Sequence, residues 1–270
     1  TEETRGKLYY WMKEVIDITK PKIFIAENVK GLVNMGQVKD IIQADFSQAD
    51  GNGYIVLSPQ VLHAGNYGVP ESRERVIFIG IRKDALKEEI AQILKNDLIP
   101  NHLNPYPQPT HNCTLNDETL ATPVVLCDVL KQLKEPKESF DPSQRFYSKA
   151  KYMGAHCQGQ KEITMNSIGP TIRSEHHGNI EYRRLSLEHG GTNKNELEKG
   201  LAERRLTPRE CALIQTFPPD FQFVIPKDYD WKRFIVSASG AYKVIGNAVP
   251  PILAYHIAMR IQNLWSTYFK

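Results

Sequence analysis

The chain has 270 residues, 41% of them hydrophobic, with 34 Lys and Arg against 31 Asp and Glu. That is enough for one large domain or two ordinary ones with real cores, and it excludes a wholly disordered chain. A formal charge of +3 is too small to declare a nucleic-acid partner by itself, so any basic surface has to be local.

Over residues 7–19, Leu8, Trp11, Met12, Val15 and Ile16 recur at helical spacing, which predicts an amphipathic helix. Pro21 stops it, and Ile23-Phe24-Ile25-Ala26 reads as a buried strand. Val38, Ile41, Ile42 and Phe46 mark a second helix, and Gly51-Asn52-Gly53 a turn. Tyr54 to His63 and Arg75 to Arg82 read as strands, joined by a short link carrying Gly65, Gly68 and Pro70. Such a link predicts an antiparallel pair. The order helix, strand, helix, strand, strand predicts an α/β layered domain with part of its sheet antiparallel.

Pro100, Pro105, Pro107 and Pro109 then signal a boundary. From there to about residue 205 the pattern is irregular and rich in Gly, His, Tyr and Asn, as in a smaller, loop-heavy domain. Order returns at Thr207-Pro208-Arg209-Glu210, where Thr207 suits an N-cap, Pro208 the first helical position and Glu210 a capping box. The last helix carries Leu253, Ile257, Ile261 and Leu264 on one face, with Pro250 and Pro251 at its start. The expected division is residues 1–105, 106–238 and 239–270.

Cys113, Cys127, Cys157 and Cys211 form no CxxC pair, which favours a reducing compartment over a secreted disulfide framework. His111 and Cys113 match no zinc spacing, so no metal is expected. No apolar run is long enough to span a membrane, and the opening Thr-Glu-Glu-Thr-Arg is not a signal peptide.

Four segments carry chemistry. In Ile25-Ala26-Glu27-Asn28-Val29-Lys30-Gly31-Leu32, a carboxylate directly follows a buried strand, where α/β sheets place ligands; an acid capping the loop before Gly31 is the simpler reading. In Asn66-Tyr67-Gly68-Val69-Pro70-Glu71-Ser72-Arg73-Glu74-Arg75, strand alternation puts Arg73 and Arg75 on one side. Two guanidinium groups there can hold a phosphate or a carbonyl oxygen, or form surface ion pairs with Glu71 or Glu74. Residues 204–218 read as a well-capped structural helix. In Ala241-Tyr242-Lys243-Val244-Ile245-Gly246-Asn247-Ala248-Val249-Pro250-Pro251, a Gly-Asn turn feeding a helix start offers free amides to an anion, unless it is an ordinary helix start.

In this order the four segments resemble the second half of DNA (cytosine-5)-methyltransferases, and Thr4-Arg5-Gly6-Lys7-Leu8-Tyr9-Tyr10 resembles the short block that precedes them. The resemblance implies an α/β, mixed-sheet S-adenosyl-L-methionine-dependent methyltransferase domain, present in part, with a smaller, loop-rich target-recognition domain. In that family a cysteine thiolate adds to cytosine C6 and C5 then takes the methyl group, after the base has left the helix stack. By resemblance, Glu27 is the general acid at N3, and Arg75 contacts O2 and pairs with that carboxylate. A nearby Arg lowers the Glu pKa and burial raises it, with burial expected to prevail only when DNA is bound. Arg73 falls to a phosphate or scaffold contact. Asn247 matches the position that touches the cofactor's methionine end, and Ala248 stands where many relatives have Ser. Glu71 replaces the common Gln, and is expected to add negative charge near DNA or to pair with Arg73.

The middle of the chain fits a recognition role on double-stranded DNA. From Ser143 to Arg184, Arg145, Lys149, Lys151, Lys161, Arg173, Arg183 and Arg184 stand against Glu162, Glu175 and Glu181, a local balance of seven against three. Phe146, Tyr147, Tyr152, Tyr182, His176 and His177 are interleaved, and Gln160, Asn166 and Asn179 suit base edges. Arg173 and Arg183 are the first candidates for DNA contact, followed by Arg184, His176 and Lys149.

The family's catalytic Pro-Cys is not among these residues: the four cysteines follow Asn112, Leu126, His156 and Glu210. The Gly-rich cofactor loop is missing too. Three readings stay open: the C-terminal part of a single-chain enzyme, the second subunit of a split one, or a degenerate relative that binds DNA without methylating it. The first two require an upstream segment or companion subunit with the cofactor loop and the Cys, and leave this chain inactive alone. A repressor-like DNA-binding module has no need of all four blocks together. An amino-methyltransferase is the nearest enzyme rival, but its Pro-Pro motif follows Asn, Asp or Ser, whereas the pairs here follow Phe217 and Val249. The expected setting is a bacterial-type cytoplasmic restriction-modification system, with the protein associated with the nucleoid.

Overall fold

The computed structural model describes residues 8–34, 37–51, 53–96, 98–174 and 179–270. In chain order its main elements are α1 (Leu8–Thr19), β1 (Ile23–Val29), α2 (Val38–Ser47), β2 (Tyr54–Val56), β3 (Gln60–His63), β4 (Glu74–Arg82) and α3 (Glu88–Leu94). There follow α4 (Leu126–Leu130), α5 (Pro142–Arg145), β5 (Tyr182–Arg184), α6 (Lys194–Glu198), β6 (Arg204–Arg205) and α7 (Pro208–Ile214). The chain ends with β7 (Ile225–Pro226), β8 (Phe234–Val236), α8 (Ala238–Asn247) and α9 (Pro251–Tyr268).

These elements form two compact units, one of Thr1–His63, Glu74–Gln108 and Tyr255–Lys270, the other of Ala64–Arg73 and Pro109–Ala254. One of the divisions falls between Gln108 and Pro109, in the proline-rich stretch. The Gly-rich link 64–73 and the helix α8 belong to the second unit.

In the first unit β4 is the centre of an antiparallel sheet. β1 pairs with it along its whole length, from Ile23 opposite Ile81 to Val29 opposite Arg75. β2 and β3 share the opposite edge of β4 with a one-residue register shift, Val56 facing Gly80 and Gln60 facing Ile77. The single strand expected over 54–63 is therefore two, broken around Pro59, which has no N–H to give the ladder. Phe24 and Ala26 of β1 and Val76 and Phe78 of β4 bury themselves against Ile16 of α1 and Ile42 and Phe46 of α2. The Phe24 ring lies over Gly80, where a Cβ would come within 2.1 Å of it; only glycine fits beneath the ring.

In the second unit, side chains of α4, α7 and α8 make the core, including Leu126, Leu130, Cys211, Ile214, Tyr242 and Ile245. The capping box is present: Thr207 Oγ1 accepts from the Glu210 amide at 3.0 Å, and Glu210 Oε2 accepts from the Thr207 amide at 2.8 Å. Tyr242 ties two sequence blocks together, its hydroxyl donating to the Leu206 carbonyl at 2.6 Å. Gly246 and Asn247 do not form a turn leading into a helix. They are the last turn of α8, begun by the Ser237 side chain, which accepts from the Gly240 amide, and the next helix starts at Pro251, whose φ suits a first turn.

Candidate active site and DNA-facing residues

β1 ends with Glu27, Asn28 and Val29. Glu27 and Val29 lie on one face, and Arg75 stands opposite Val29, so Glu27 and Arg75 are diagonal neighbours. Their side chains meet, with Arg75 Nε 2.6 Å from Glu27 Oε1, and both keep some exposure. A carboxylate and a guanidinium held this way offer two adjacent polar points. One can hydrogen-bond or protonate a ring nitrogen, and the other can donate to a carbonyl oxygen.

Arg73, two residues earlier, has no exposed surface. Nη1 donates to the Ile172 carbonyl at 3.0 Å and approaches Glu71 Oε1 at 3.4 Å, while Nη2 donates to the carbonyls of Gly246 and Ala248, both at 2.8 Å. A guanidinium so engaged has no face left for a phosphate; of the two expected roles, scaffold is the one the geometry carries. Glu71 is equally buried and its Oε1 accepts from the Ile172 amide at 2.7 Å. The expected negative charge near DNA is instead a buried counter-charge to Arg73.

Asn247 is exposed at the end of α8 and Ala248 is half-buried. Because Arg73 occupies the carbonyls on either side of Asn247, what this block offers a ligand is the Asn247 side-chain amide. An amide suits the polar methionine end of S-adenosylmethionine, and the Ala248 methyl adds no hydrogen bond. The residues present fit part of that cofactor's site.

The expected DNA contacts divide. Arg184 is buried, held by Glu135 at 3.0 Å and by Glu196, and Arg183 is tied to Glu196 at 2.6 Å. Both are interior ion pairs, a correction to the sequence expectation that they face DNA. Gln160 is buried too, its Oε1 accepting from the Met153 amide at 2.9 Å, so it does not present a base-reading edge. Arg173 is partly exposed and pairs with Glu181 at 3.0 Å. Arg145, Lys149, Lys151 and Lys161 are exposed, and the Lys149 ammonium sits 3.3 Å from the Tyr147 ring centre. His176, with Glu175 and His177, lies outside the described residues.

Sequence reasoning missed Arg205. Its guanidinium donates to the carbonyls of Ala150 at 2.9 Å, Gly159 at 2.8 Å and Lys151 at 3.2 Å, to that of Ile180, and to Gln160 Oε1 at 3.3 Å. It also lies over the Tyr182 ring, 4.3 Å from its centre. One buried cation thus gathers the loop 150–160 and the segment at 180. Gly159, at φ +73°, approaches so closely that a Cβ would fall 2.3 Å from the Asn179 carbonyl carbon. Nothing in the sequence separates Arg205 from the exposed bases; only its carbonyl partners, scattered over thirty residues, reveal the role.

Among the described residues no His, Cys, Asp and Glu cluster could hold a metal ion, and no helix is long and apolar enough to cross a membrane. Burial pushes the thiols of Cys113 and Cys211 up, Cys211 well above its ordinary value, which is the reverse of what a nucleophile needs.

A carboxylate-guanidinium pair at a strand end of an α/β protein does not by itself define a reaction, and comparison narrows it. Residues 1–263 match the family model for C-5 cytosine-specific DNA methylase, and the chain belongs to that family. It is 30% identical to the type II methyltransferase M.FnuDI of Fusobacterium nucleatum over 97% of this chain and 70% of that protein. It is 32% identical to M.BspRI of Lysinibacillus sphaericus over 100% of this chain and 57% of that protein. The chain thus spans about half to three quarters of the length of the curated relatives it matches. In fold it is similar to the crystal structure of the Schizosaccharomyces pombe Dnmt2 methyltransferase, with a TM-score of 0.53 at 14% identity over 98% of this chain and 74% of that one. The family uses S-adenosylmethionine as methyl donor.

Proposed function

We propose that this chain is the base-holding and DNA-reading part of a DNA (cytosine-5)-methyltransferase of a restriction-modification system, acting on a flipped cytosine within a specific double-stranded sequence. The observation that carries the reading is the 2.6 Å contact between Glu27 and Arg75. Glu27 holds or delivers the proton at cytosine N3, which makes C6 electrophilic, and Arg75 donates to O2 while fixing the carboxylate. Asn247 would hold the methionine end of S-adenosylmethionine, which when bound supplies the methyl group. Arg173, Arg145, Lys149, Lys151 and Lys161 contact the duplex.

The nucleophilic cysteine and the cofactor loop come from an upstream segment or companion subunit. Two surfaces support a missing partner. On α1, Trp11 and Ile18 are 70% and 77% exposed, too apolar a stripe for a finished surface. β1 has a neighbour on one edge only among the described residues, and no proline interrupts it, so that edge is open to further pairing.

A second reading, a DNA-binding subunit or degenerate relative without transfer, is favoured by the raised thiols and by the family's Pro-Cys having no match here. The experiment is methyl transfer from radiolabelled S-adenosylmethionine to duplex DNA. The chain alone is expected to transfer none, and joining it to the segment that completes the family pattern restores transfer. Glu27→Gln in the joined enzyme then slows single-turnover chemistry far more than it weakens DNA binding. Transfer by the chain alone overturns the assignment of the nucleophile, and an unchanged single-turnover rate removes Glu27 from the mechanism.

A further inference from the structure

Arg73 makes an arrangement that neither a DNA contact nor a generic core cation requires. Its two terminal nitrogens grip three carbonyls from two distant stretches, Ile172 on one side and Gly246 and Ala248 on the other. The last two are the carbonyls immediately flanking Asn247. The Ile172 peptide group is held at both ends, since its amide donates to Glu71 Oε1 at 2.7 Å, and the next residue is Arg173. The two stretches also touch directly: a Cβ on Gly246 would lie 2.3 Å from the Arg173 carbonyl carbon and 2.4 Å from the Ser174 nitrogen. Backbone packed this closely moves as one piece. A buried guanidinium is stable only with its charge offset; Glu71 supplies the charge, both terminal nitrogens are used, and only Nε has no hydrogen-bond partner among the described residues.

We infer that Arg73 is a positioning residue that couples the DNA-contacting backbone at Arg173 to the cofactor-contacting Asn247, with Glu71 as its counter-charge. This rests on the reading of Arg173 and Asn247 given above. Binding of DNA at Arg173 shifts or stiffens the Ile172 peptide, Arg73 passes that constraint to the peptides around Asn247, and the cofactor contact is set only when target DNA is in place. The carboxylate at position 71 makes the clamp an ion pair where the family commonly has a neutral amide. The carboxylate also makes the bond from the Ile172 amide, at 2.7 Å, a charge-assisted one, which a neutral amide at position 71 would not.

The test is amide hydrogen exchange on the 270-residue chain, free and with sheared genomic duplex DNA. In the wild type, amides at 171–174 and at 245–249 are expected to be slow together and to slow further together when DNA is added. Arg73→Lys keeps the charge but reaches fewer carbonyls, so exchange in both stretches should rise about tenfold, the effect of one charge-assisted bond. Amides of α7 should be unaffected. Slowing by DNA at 171–174 with none at 245–249, or unchanged exchange at 245–249 in Arg73→Lys, overturns the coupling. If Arg73→Lys loosens α7 as well, Glu71→Gln decides: it keeps the oxygen that receives the Ile172 amide and removes only the charge. A selective rise at 245–249 supports the clamp and no change refutes it. In the joined enzyme, Arg73→Lys should raise KM for S-adenosylmethionine about tenfold with kcat within about twofold. A fall in kcat at constant KM would mean only lost active molecules and would overturn the positioning role. Absence of any transfer by the wild-type joined enzyme would sink the functional reading and leave the exchange result to judge the clamp.

Discussion

Replacing Arg205 with Met keeps most of the side-chain volume and removes the cation that gathers the loop 150–160 and the segment at 180. Five acceptors lose this donor, four backbone carbonyls and Gln160 Oε1, although Gln160 Oε1 keeps the Met153 amide and the Ala150 carbonyl keeps the Tyr182 hydroxyl. Each buried acceptor left unpaired costs about 1–3 kcal/mol. The loop can partly relax and admit water, so the sum is not reached, and about 3–5 kcal/mol is the expected loss, as for breaking a buried pair. Burial lowers the Arg205 pKa while the Tyr182, Glu181 and Tyr242 side chains act against it, so the cation is kept by its carbonyl cage more than by any one carboxylate. The assay has two readouts. Thermal unfolding should fall by about 10 °C, at roughly 2–4 °C per kcal/mol for a protein of this size. Discrimination between target and non-target duplexes should fall further than total affinity, since the exposed Lys149, Lys151 and Lys161 survive the change. Arg205→Lys should recover part of the stability. An unfolding temperature within about 2 °C of wild type would refute the keystone role. So would lost stability with intact discrimination.

Acid should weaken the second unit through Glu135. Burial alone would raise its carboxyl, but Arg204 and Arg184 outweigh this and hold it below the usual value. A depressed folded pKa contributes stability above the unfolded pKa of about 4.3, lost as pH falls through the folded one. Glu135→Gln should therefore flatten the loss of unfolding temperature below about pH 4, and an unchanged acid limb would exclude that group. The salt dependence of DNA binding should follow the exposed bases only: five contacts, from Arg145, Lys149, Lys151, Lys161 and Arg173, give a log–log slope of about −4.5. A slope near −6 would return Arg183 and Arg184 to the interface. Lys149→Glu should reduce the slope by about 1 or more, and Arg184→Ala should lower the unfolding temperature with the slope unchanged. Exchanging residues 106–200 with those of a relative should change the DNA sequence methylated; retained preference would place recognition elsewhere.

Much of the first unit was legible because its signals are local. The strand that carries Glu27, the long apolar strand opening at Arg75 and the antiparallel link of the latter to residues 54–63 could be read from hydrophobicity and a short connection; the pairing of β1 with β4 could not. The capping box at Thr207 and Glu210 lies within one helical turn. What escaped depends on partners far along the chain. Arg183 and Arg184 look like neighbours of DNA until Glu135 and Glu196 are placed on them. Gln160 looks like a base reader until it is found folded back on Met153. Gly246-Asn247 carries a turn signal, but a glycine in a helix is tolerated where a neighbouring backbone leaves no room for a Cβ, and Arg173 is that neighbour.

The charge count of the middle segment therefore has two physical meanings that composition cannot separate. An arginine fork satisfies several carbonyls at once where irregular backbone lacks a ladder, and a loop-rich unit with two-stranded sheets has many such carbonyls. Arg73 and Arg205 are spent this way, each with a side chain almost wholly removed from solvent, while the equally buried Arg184 gives one bond to the Ala202 carbonyl and the rest to Glu135 and Glu196. Lysine, a hydrated point charge without that fork, stays outside: Lys149, Lys151 and Lys161 are all exposed. In a unit built from loops, arginine content reflects how much backbone must be held, and lysine content is the better gauge of the charge left at the surface. The same division explains how Arg73 and Arg75, two residues apart, diverge in role. Arg75 lies on β4, whose backbone the sheet largely satisfies, so its guanidinium meets the neighbouring Glu74 carbonyl and the Glu27 carboxylate. Arg73 precedes the strand, and its guanidinium goes to the carbonyls that no strand reaches.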